Sequence, residues 1–392
     1  MKLMYLRPAC HCADTIDWLG CSLSTDVYRR HLEMTYSIPG QTIEISIIAS
    51  QNIVLATGGN GYVGAKTVLE LIKRSYKVKA TIRSQAKADA FNKLYPTQST
   101  FIEWVVVPDF TSEDAMTAAT ANVDFVIHMA SPFHFSFTDN VNEVLKPAKE
   151  MTLVTLRAAA KHPRIKRVVI TSSFVAVWDL MKDNGLWPGK TYSAEDFNPA
   201  TWDQAASSPN PFFVYSASKV LAERAAYEFV EFVEQEKPSF SITTFCPPII
   251  FGPPPQPEVT IGNLNTSIDI IWSVVSGRNR SIDTALPVFV DNRDLAYLQV
   301  AALTNEKAKN QRYLAVSDHW YVEELVQIVK GEFADQAYRL PPTTRTKAPE
   351  HFDFDGAKTE RDFDIEWIPL RRSIVDTMKF LYKKEEERAG SA

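Results

Sequence analysis

The run Thr57-Gly58-Gly59-Asn60-Gly61-Tyr62-Val63-Gly64 comes directly after the apolar segment Ile53-Val54-Leu55-Ala56. It places glycines at a G-x-x-G-x-x-G spacing. The spacing alone is weak. Its context is not: an apolar strand precedes it, and residues 63–74 carry the apolar recurrence of a helix. Between a buried strand and a helix, glycines allow a tight turn, close approach of the backbone to a pyrophosphate and tight helix packing. The helix N-terminus then offers free N–H groups and partial positive charge to phosphate.

Strand-like runs alternate with helix-length segments after this turn. The strands are expected at 77–82, 101–107, 123–129, 167–172 and 241–245, and the helices at 63–74, 142–161 and 214–234. Such repetition implies an α/β fold, a Rossmann-type doubly wound parallel sheet covered on both faces. After Phe245 the prolines of Cys246-Pro247-Pro248-Ile249-Ile250-Phe251-Gly252-Pro253-Pro254-Pro255 stop the alternation. The rest of the chain is mixed: helices over 267–276, 293–304, 321–330 and 373–385, and strands near 288–290 and 312–316. The expected organisation is an N-terminal extension, 1–50, poorly ordered and without strand or helix period. A dinucleotide-binding domain then covers 52–245, with later returns near 285–316, and a mainly substrate-binding region covers 246–392.

Composition narrows the function. The 392 residues are 45% hydrophobic and 23% charged, an ordinary globular balance, and the net charge of -5 gives no electrostatic reason to expect nucleic acid. No apolar stretch approaches the ~20 residues that span a bilayer. Four cysteines in so long a chain do not make a disulfide framework, which fits a reducing cytoplasm. Cys10, His11, Cys12, Cys21 and His31 match no common zinc spacing, so no metal is expected. The expected partner is a small molecule, with no membrane, and a monomer or homodimer is expected.

The residue closing the second strand separates the two nicotinamide cofactors, because a carboxylate there suits a free ribose 2′-OH and repels a 2′-phosphate. That residue is Arg83, with Ser84 and Lys87 just beyond it. Two cations and a hydroxyl suit the phosphate of NADP(H). Asp109, after the third strand, is a candidate contact to the adenine amino group or an ordinary turn aspartate.

Tyr215-Ser216-Ala217-Ser218-Lys219 puts a phenol and an ammonium at i and i+4 on one helix face. A free phenol titrates near ~10, so it serves as an acid–base group only where its surroundings help, and a neighbouring cation stabilises the phenolate. Ser173, ending Thr171-Ser172-Ser173 on a buried strand, is placed to donate to a carbonyl oxygen as charge develops on it.

With these segments in view the chain resembles the extended short-chain dehydrogenase/reductase superfamily, also called the NAD-dependent epimerase/dehydratase superfamily. Within it the resemblance is to the dihydroflavonol reductases and the fungal methylglyoxal and ketone reductases. The segments that carry it are TGGNGYVG, IRSQAK, VVPDF, HMASPF, VITSS, YSASK, CPPIIFGPP, LNTS and VDNRDLA, from about Ile53 to Trp367. The resemblance implies that Ser173, Tyr215 and Lys219 are the catalytic triad. It implies cofactor contacts from Gly58, Asn60, Gly61, Tyr62, Val63 and Gly64 in the turn, and from Arg83 and Lys87 at the 2′-phosphate. Further contacts are implied from Asp109, Phe110, Ala130, Ser131, Pro132 and Thr171, with Pro247 and Ile249 near the nicotinamide. Members of the group usually start almost at the first strand, so residues 1–50 have no counterpart and Met34 is a candidate initiator. The pair Pro247-Pro248 stands where a single proline is usual, and Phe174 lacks the hydroxyl of a tyrosine often found there.

The implied reaction is reduction of a small or medium aldehyde or ketone, with hydride from NADPH and a proton from Tyr215. Phe133, Phe174 and Trp178, together with Phe135, are expected to line an apolar substrate cleft, although such aromatics are as often plain core. His134 is expected to be structural. Other readings stay open: a hydroxysteroid-type dehydrogenase, a nucleotide-sugar epimerase or dehydratase, and a regulatory protein that senses NADP(H).

Overall fold

The computed structural model describes residues 31–38, 41–48, 52–131, 135–232, 238–284, 286–343 and 350–390. The chain divides into two units, Met1–Gln51 and Asn52–Ala392. In the first, His31–Ile38 pairs antiparallel with Gln41–Ile48, Met34 opposite Ile45 and Tyr36 opposite Ile43. This departs from the expectation of no period. The sequence does alternate there, with Leu32, Met34, Tyr36 and Ile38 against Ile43, Ile45 and Ile47.

The second unit is built on a seven-stranded sheet. Its order is Gln311–Leu314, Ser241–Cys246, Arg167–Thr171, Phe125–His128, Ile53–Thr57, Lys77–Ile82, Ile102–Val106, and every pairing is parallel. Burial on both faces explains the unbroken apolar runs. Val54 and Ala56 pack into one cluster with Ala65, Val68 and Leu71 of the helix Tyr62–Lys73. The intervening Leu55 packs into the opposite cluster with Met151, Val154 and Ala158 of the helix Lys146–Ala160. The strands agree with the sequence reading to within a few residues. Ile102–Val106, for example, stands within the expected 101–107.

A smaller three-stranded sheet comes next, in which Val288–Asp291 pairs parallel with Ile249–Phe251 and antiparallel with Asp318–His319. The helices Thr266–Val275, Val322–Glu332 and Leu370–Ala389 cover it through Ile268, Ile271, Leu325, Ile374 and Met378. Asp291 ties this sheet to two helices, Asn292–Ala301 and Leu370–Ala389. Its fully buried carboxylate accepts from the backbone N–H, Nε and Nη2 of Arg293 and, at 2.6 Å, from the hydroxyl of Ser373. Among the described residues, no helix is long and apolar enough to cross a membrane.

Candidate active site

From Ile53–Thr57 the chain steps outward to Lys77–Ile82 and Ile102–Val106, then returns to Phe125–His128 on the other side. The carboxyl ends of two adjacent strands therefore diverge at Thr57 and His128, the place where open parallel sheets receive ligands. The Thr57 hydroxyl holds the fork, accepting from the N–H groups of Met129 and Ala130 at 3.0 and 3.1 Å and touching His128 Nδ1 at 3.0 Å. Burial, with the Lys219 charge adding to it, pushes the His128 imidazole down to about 3, so it is neutral at physiological pH.

The glycine turn opens from this fork. Gly58 adopts φ +69°, and its N–H is held by the Thr81 hydroxyl at 3.0 Å. A Cβ on Gly64 would fall 2.0 Å from the Gly58 carbonyl oxygen, so only glycine lets the helix start this close to the turn. Gly61 sits at the N-cap with no side-chain cap, which leaves the first helical N–H groups for a ligand. This cradle fits a dinucleotide pyrophosphate. Beyond it lies a groove of about 310 Å³ lined by Gly58, Asn60, Gly61, Arg83, Lys87, Phe110, Ala130 and Ser131. Lys87 pairs with Glu258 at 3.3 Å. Asp109 is not part of the groove lining, and its carboxylate accepts from the N–H and hydroxyl of Thr111.

The helix Pro211–Phe232 carries the phenol and the ammonium. It starts where Asn210 Oδ1 accepts from the N–H groups of Phe212 and Phe213, with proline in the first turn. Lys219 Nζ donates to Ser131 Oγ at 2.9 Å and stands 5.6 Å from the centre of the Tyr215 ring. Burial pushes Tyr215 up to about 12, and a hydrogen bond with the Ser173 hydroxyl pulls it back. The phenol is therefore protonated at neutral pH, as a proton donor must be. Burial also drives Lys219 down to about 8, against the pull of the Glu223 carboxylate.

Ser173, Tyr215, Lys219, Gly58, Gly61, Tyr62, Val63, Gly64, Ser131, Thr171, Pro247 and Ile249 all line one cleft of about 440 Å³. Tyr62 also bridges regions: its hydroxyl donates to the Gly252 carbonyl at 2.9 Å, and its own carbonyl accepts from Asn292 Nδ2 at 2.9 Å. Two expected cleft aromatics are elsewhere. Phe174 is fully buried, stacked on Phe352 and edge-on to Tyr192, while Trp178 is buried with its indole N–H on the Gly185 carbonyl. The short helix Phe174–Ala176 turns both inward, so they are core and not lining. Pro132, Phe133 and His134 lie outside the described residues, as do Cys10, His11, Cys12 and Cys21.

The aromatic wall consists of Phe135, one of the aromatics expected there, and Phe212, with Phe135 edge-on to Tyr215 at 5.7 Å. Phe212 escapes sequence reading, although its place three residues before Tyr215 puts it on the same helix face. Val175, Ile270 and Leu286 are among the further apolar lining residues, and Asn265 adds a buried amide oxygen without a hydrogen-bond partner. The LNTS segment is the visible signal for Asn265, without an assigned role.

The model of the NAD dependent epimerase/dehydratase family matches residues 54–316. An uncharacterized oxidoreductase of Schizosaccharomyces pombe is 35% identical over 340 residues, 86% of this chain and 99% of that protein. A ketoreductase of Aspergillus niger is 31% identical over 83% of this chain and 96% of its own length. The crystal structure of yeast methylglyoxal/isovaleraldehyde reductase complexed with NADPH superposes with a TM-score of 0.77 at 28% identity, covering 85% of this chain and 99% of that one.

Proposed function

The chain belongs to the NAD dependent epimerase/dehydratase family, and from that premise we propose that it is an NADPH-dependent reductase of small or medium aldehydes and ketones. The observation that carries the reading is the meeting of Ser173, Tyr215 and Lys219 with the glycine turn in one cleft. The bound cofactor supplies the hydride for the carbonyl carbon. Tyr215 gives its phenolic proton to the carbonyl oxygen, and Ser173 donates a hydrogen bond to the same oxygen as charge builds there. Lys219 steadies the phenolate that remains and passes a proton from solvent to restore it. Arg83 and Lys87 hold the 2′-phosphate, the turn holds the pyrophosphate, and Ser131, Thr171, Pro247 and Ile249 line the nicotinamide end.

The lining supports reduction of an apolar carbonyl compound over chemistry on a nucleotide sugar. Lys219 is the only cation among the cleft's described lining residues, whereas a sugar diphosphate needs several. A cytoplasmic monomer or homodimer completes the proposal. The test is a panel of aldehydes, diketones and cyclic ketones assayed with NADPH and with NADH, alongside Tyr215→Phe. Turnover with NADPH that collapses in Tyr215→Phe is expected. Undiminished turnover in that variant would sink the assignment.

A further inference from the structure

The reaction above uses neither Glu223 nor Arg312, yet both are buried behind its centre. Glu223 lies four residues after Lys219 on the helix Pro211–Phe232, so Tyr215, Lys219 and Glu223 share one face. Its Oε1 accepts from Arg312 Nε at 2.9 Å, and its Oε2 accepts from Arg312 Nη2 at 3.0 Å and from the Ser172 hydroxyl at 2.7 Å. Arg312, on the edge strand Gln311–Leu314, gives its other protons to the carbonyls of Ala176, Ala194 and Asp196. Burying such a pair is costly, and apolar residues of similar volume often serve stability as well or better. Stability alone therefore does not account for these charges.

Two connections do. Ser172 directly precedes Ser173, so Glu223 ties the strand end that bears the serine to the helix that bears the phenol. Glu223 also lines, with Lys219, Ser131 and Ser172, a small chamber of about 20 Å³ in which it is the only carboxylate among the described lining residues. We propose that Glu223 is a positioning residue of the reductase, fixing the Ser173 strand end against the Tyr215 helix and serving as the buried countercharge of Lys219. This rests on the reading of Ser173, Tyr215 and Lys219 as the reacting set. The pull of Glu223 on the Lys219 ammonium agrees with it. The other titratable groups around Lys219 are Tyr215 on its own helix and the neutral His128 from Phe125–His128. The Glu223 charge also bears on Arg312, Cys246 and Tyr227.

The experiment compares Glu223→Gln, the double variant Glu223→Gln/Arg312→Met, Ser172→Ala and Tyr215→Phe. Each is measured for NADPH affinity by fluorescence and for kcat with a diketone across the pH range. Removing Glu223 takes away what keeps Lys219 protonated, so the alkaline limb of kcat should move down by about one pH unit. In the double variant, which leaves no unpaired buried arginine, kcat should still be lower by roughly tenfold or more. NADPH affinity should stay within about threefold of wild type. Wild-type kcat and an unmoved limb in the folded double variant would mean that Glu223 merely satisfies Arg312, and would overturn the proposal. Ser172→Ala keeps both charges and is expected to lower kcat without moving the limb; a wild-type kcat there would overturn it as well, even if the charge variants do not fold. Tyr215→Phe separates the two levels. Turnover surviving in it overturns the reading beneath, whereas an inactive Tyr215→Phe beside a wild-type-like double variant overturns only the role of Glu223.

Discussion

The Lys219 ammonium donates to Ser131 at 2.9 Å while standing 5.6 Å from the centre of the Tyr215 ring, so one buried cation adjoins both the Tyr215 phenol and the wall of the groove beyond the glycine turn. Because burial leaves Lys219 at about 8 and Tyr215 at about 12, only the lysine changes charge in the working range. The cation is complete below the lowered value and is lost as pH rises through it. The kcat for carbonyl reduction should therefore hold below about 8 and decline above it, and Lys219→Met should remove this limb and cost on the order of a hundredfold in kcat. Stopped-flow or steady-state profiles against pH measure both, and a limb that persists in Lys219→Met assigns it to another group.

The 2′-phosphate end yields a second expectation. Arg83→Ala and Lys87→Ala should each raise the KM for NADPH by roughly ten- to a hundredfold while leaving NADH turnover nearly unchanged, since a charged hydrogen bond contributes about 1.5–3 kcal/mol. Glu258 pairs with Lys87 at 3.3 Å and would compete with a 2′-phosphate for it. Glu258→Gln should thus lower the KM for NADPH by about two- to threefold at low salt, and the gain should fade at high salt. Cofactor titrations at two ionic strengths check it.

The turn separates a steric requirement from a mild one. Gly64→Ala meets the Gly58 carbonyl at 2.0 Å, whereas a Cβ on Gly61 meets the same oxygen at 3.4 Å, an ordinary contact. Thermal melts should show Gly64→Ala destabilised by at least about 3 kcal/mol or insoluble, and Gly61→Ala within about 1 kcal/mol of wild type. Equal melting points would contradict the packing described.

Phe212 and Phe174 should divide cleanly. Phe212→Ala opens the cleft wall and is expected to raise the KM for bulky ketones severalfold. Phe174→Ala hollows a core in which Phe352 and Tyr192 surround the ring, so it should cost about 3–5 kcal/mol of stability. A Phe174→Ala protein with native stability and an altered substrate profile would return that ring to the cleft.

Most of the framework was legible because it depends on short-range patterns. Val54, Leu55 and Ala56 betray a strand buried on both faces, and the order of such strands with helices between them admits few topologies. The Tyr215–Lys219 spacing was readable because it is set by one helical turn. Cleft membership was not. Phe174 comes immediately after Ser173, yet the short helix after the strand turns it inward, while Phe212 enters the wall from a separate helix. Nor was the Glu223–Arg312 pair visible, since its partners are 89 residues apart and meet only when the last strand joins the sheet.

Tyr62 opens the helix above the phosphate cradle, and its phenol and its carbonyl are both clasped by segments of the smaller region. The cradle and the backbone bordering the opposite wall thus share one residue, held at its side chain and at its main chain. Any effect that dinucleotide binding exerts across this link on carbonyl affinity is returned by the same factor in the opposite direction, as thermodynamic reciprocity requires.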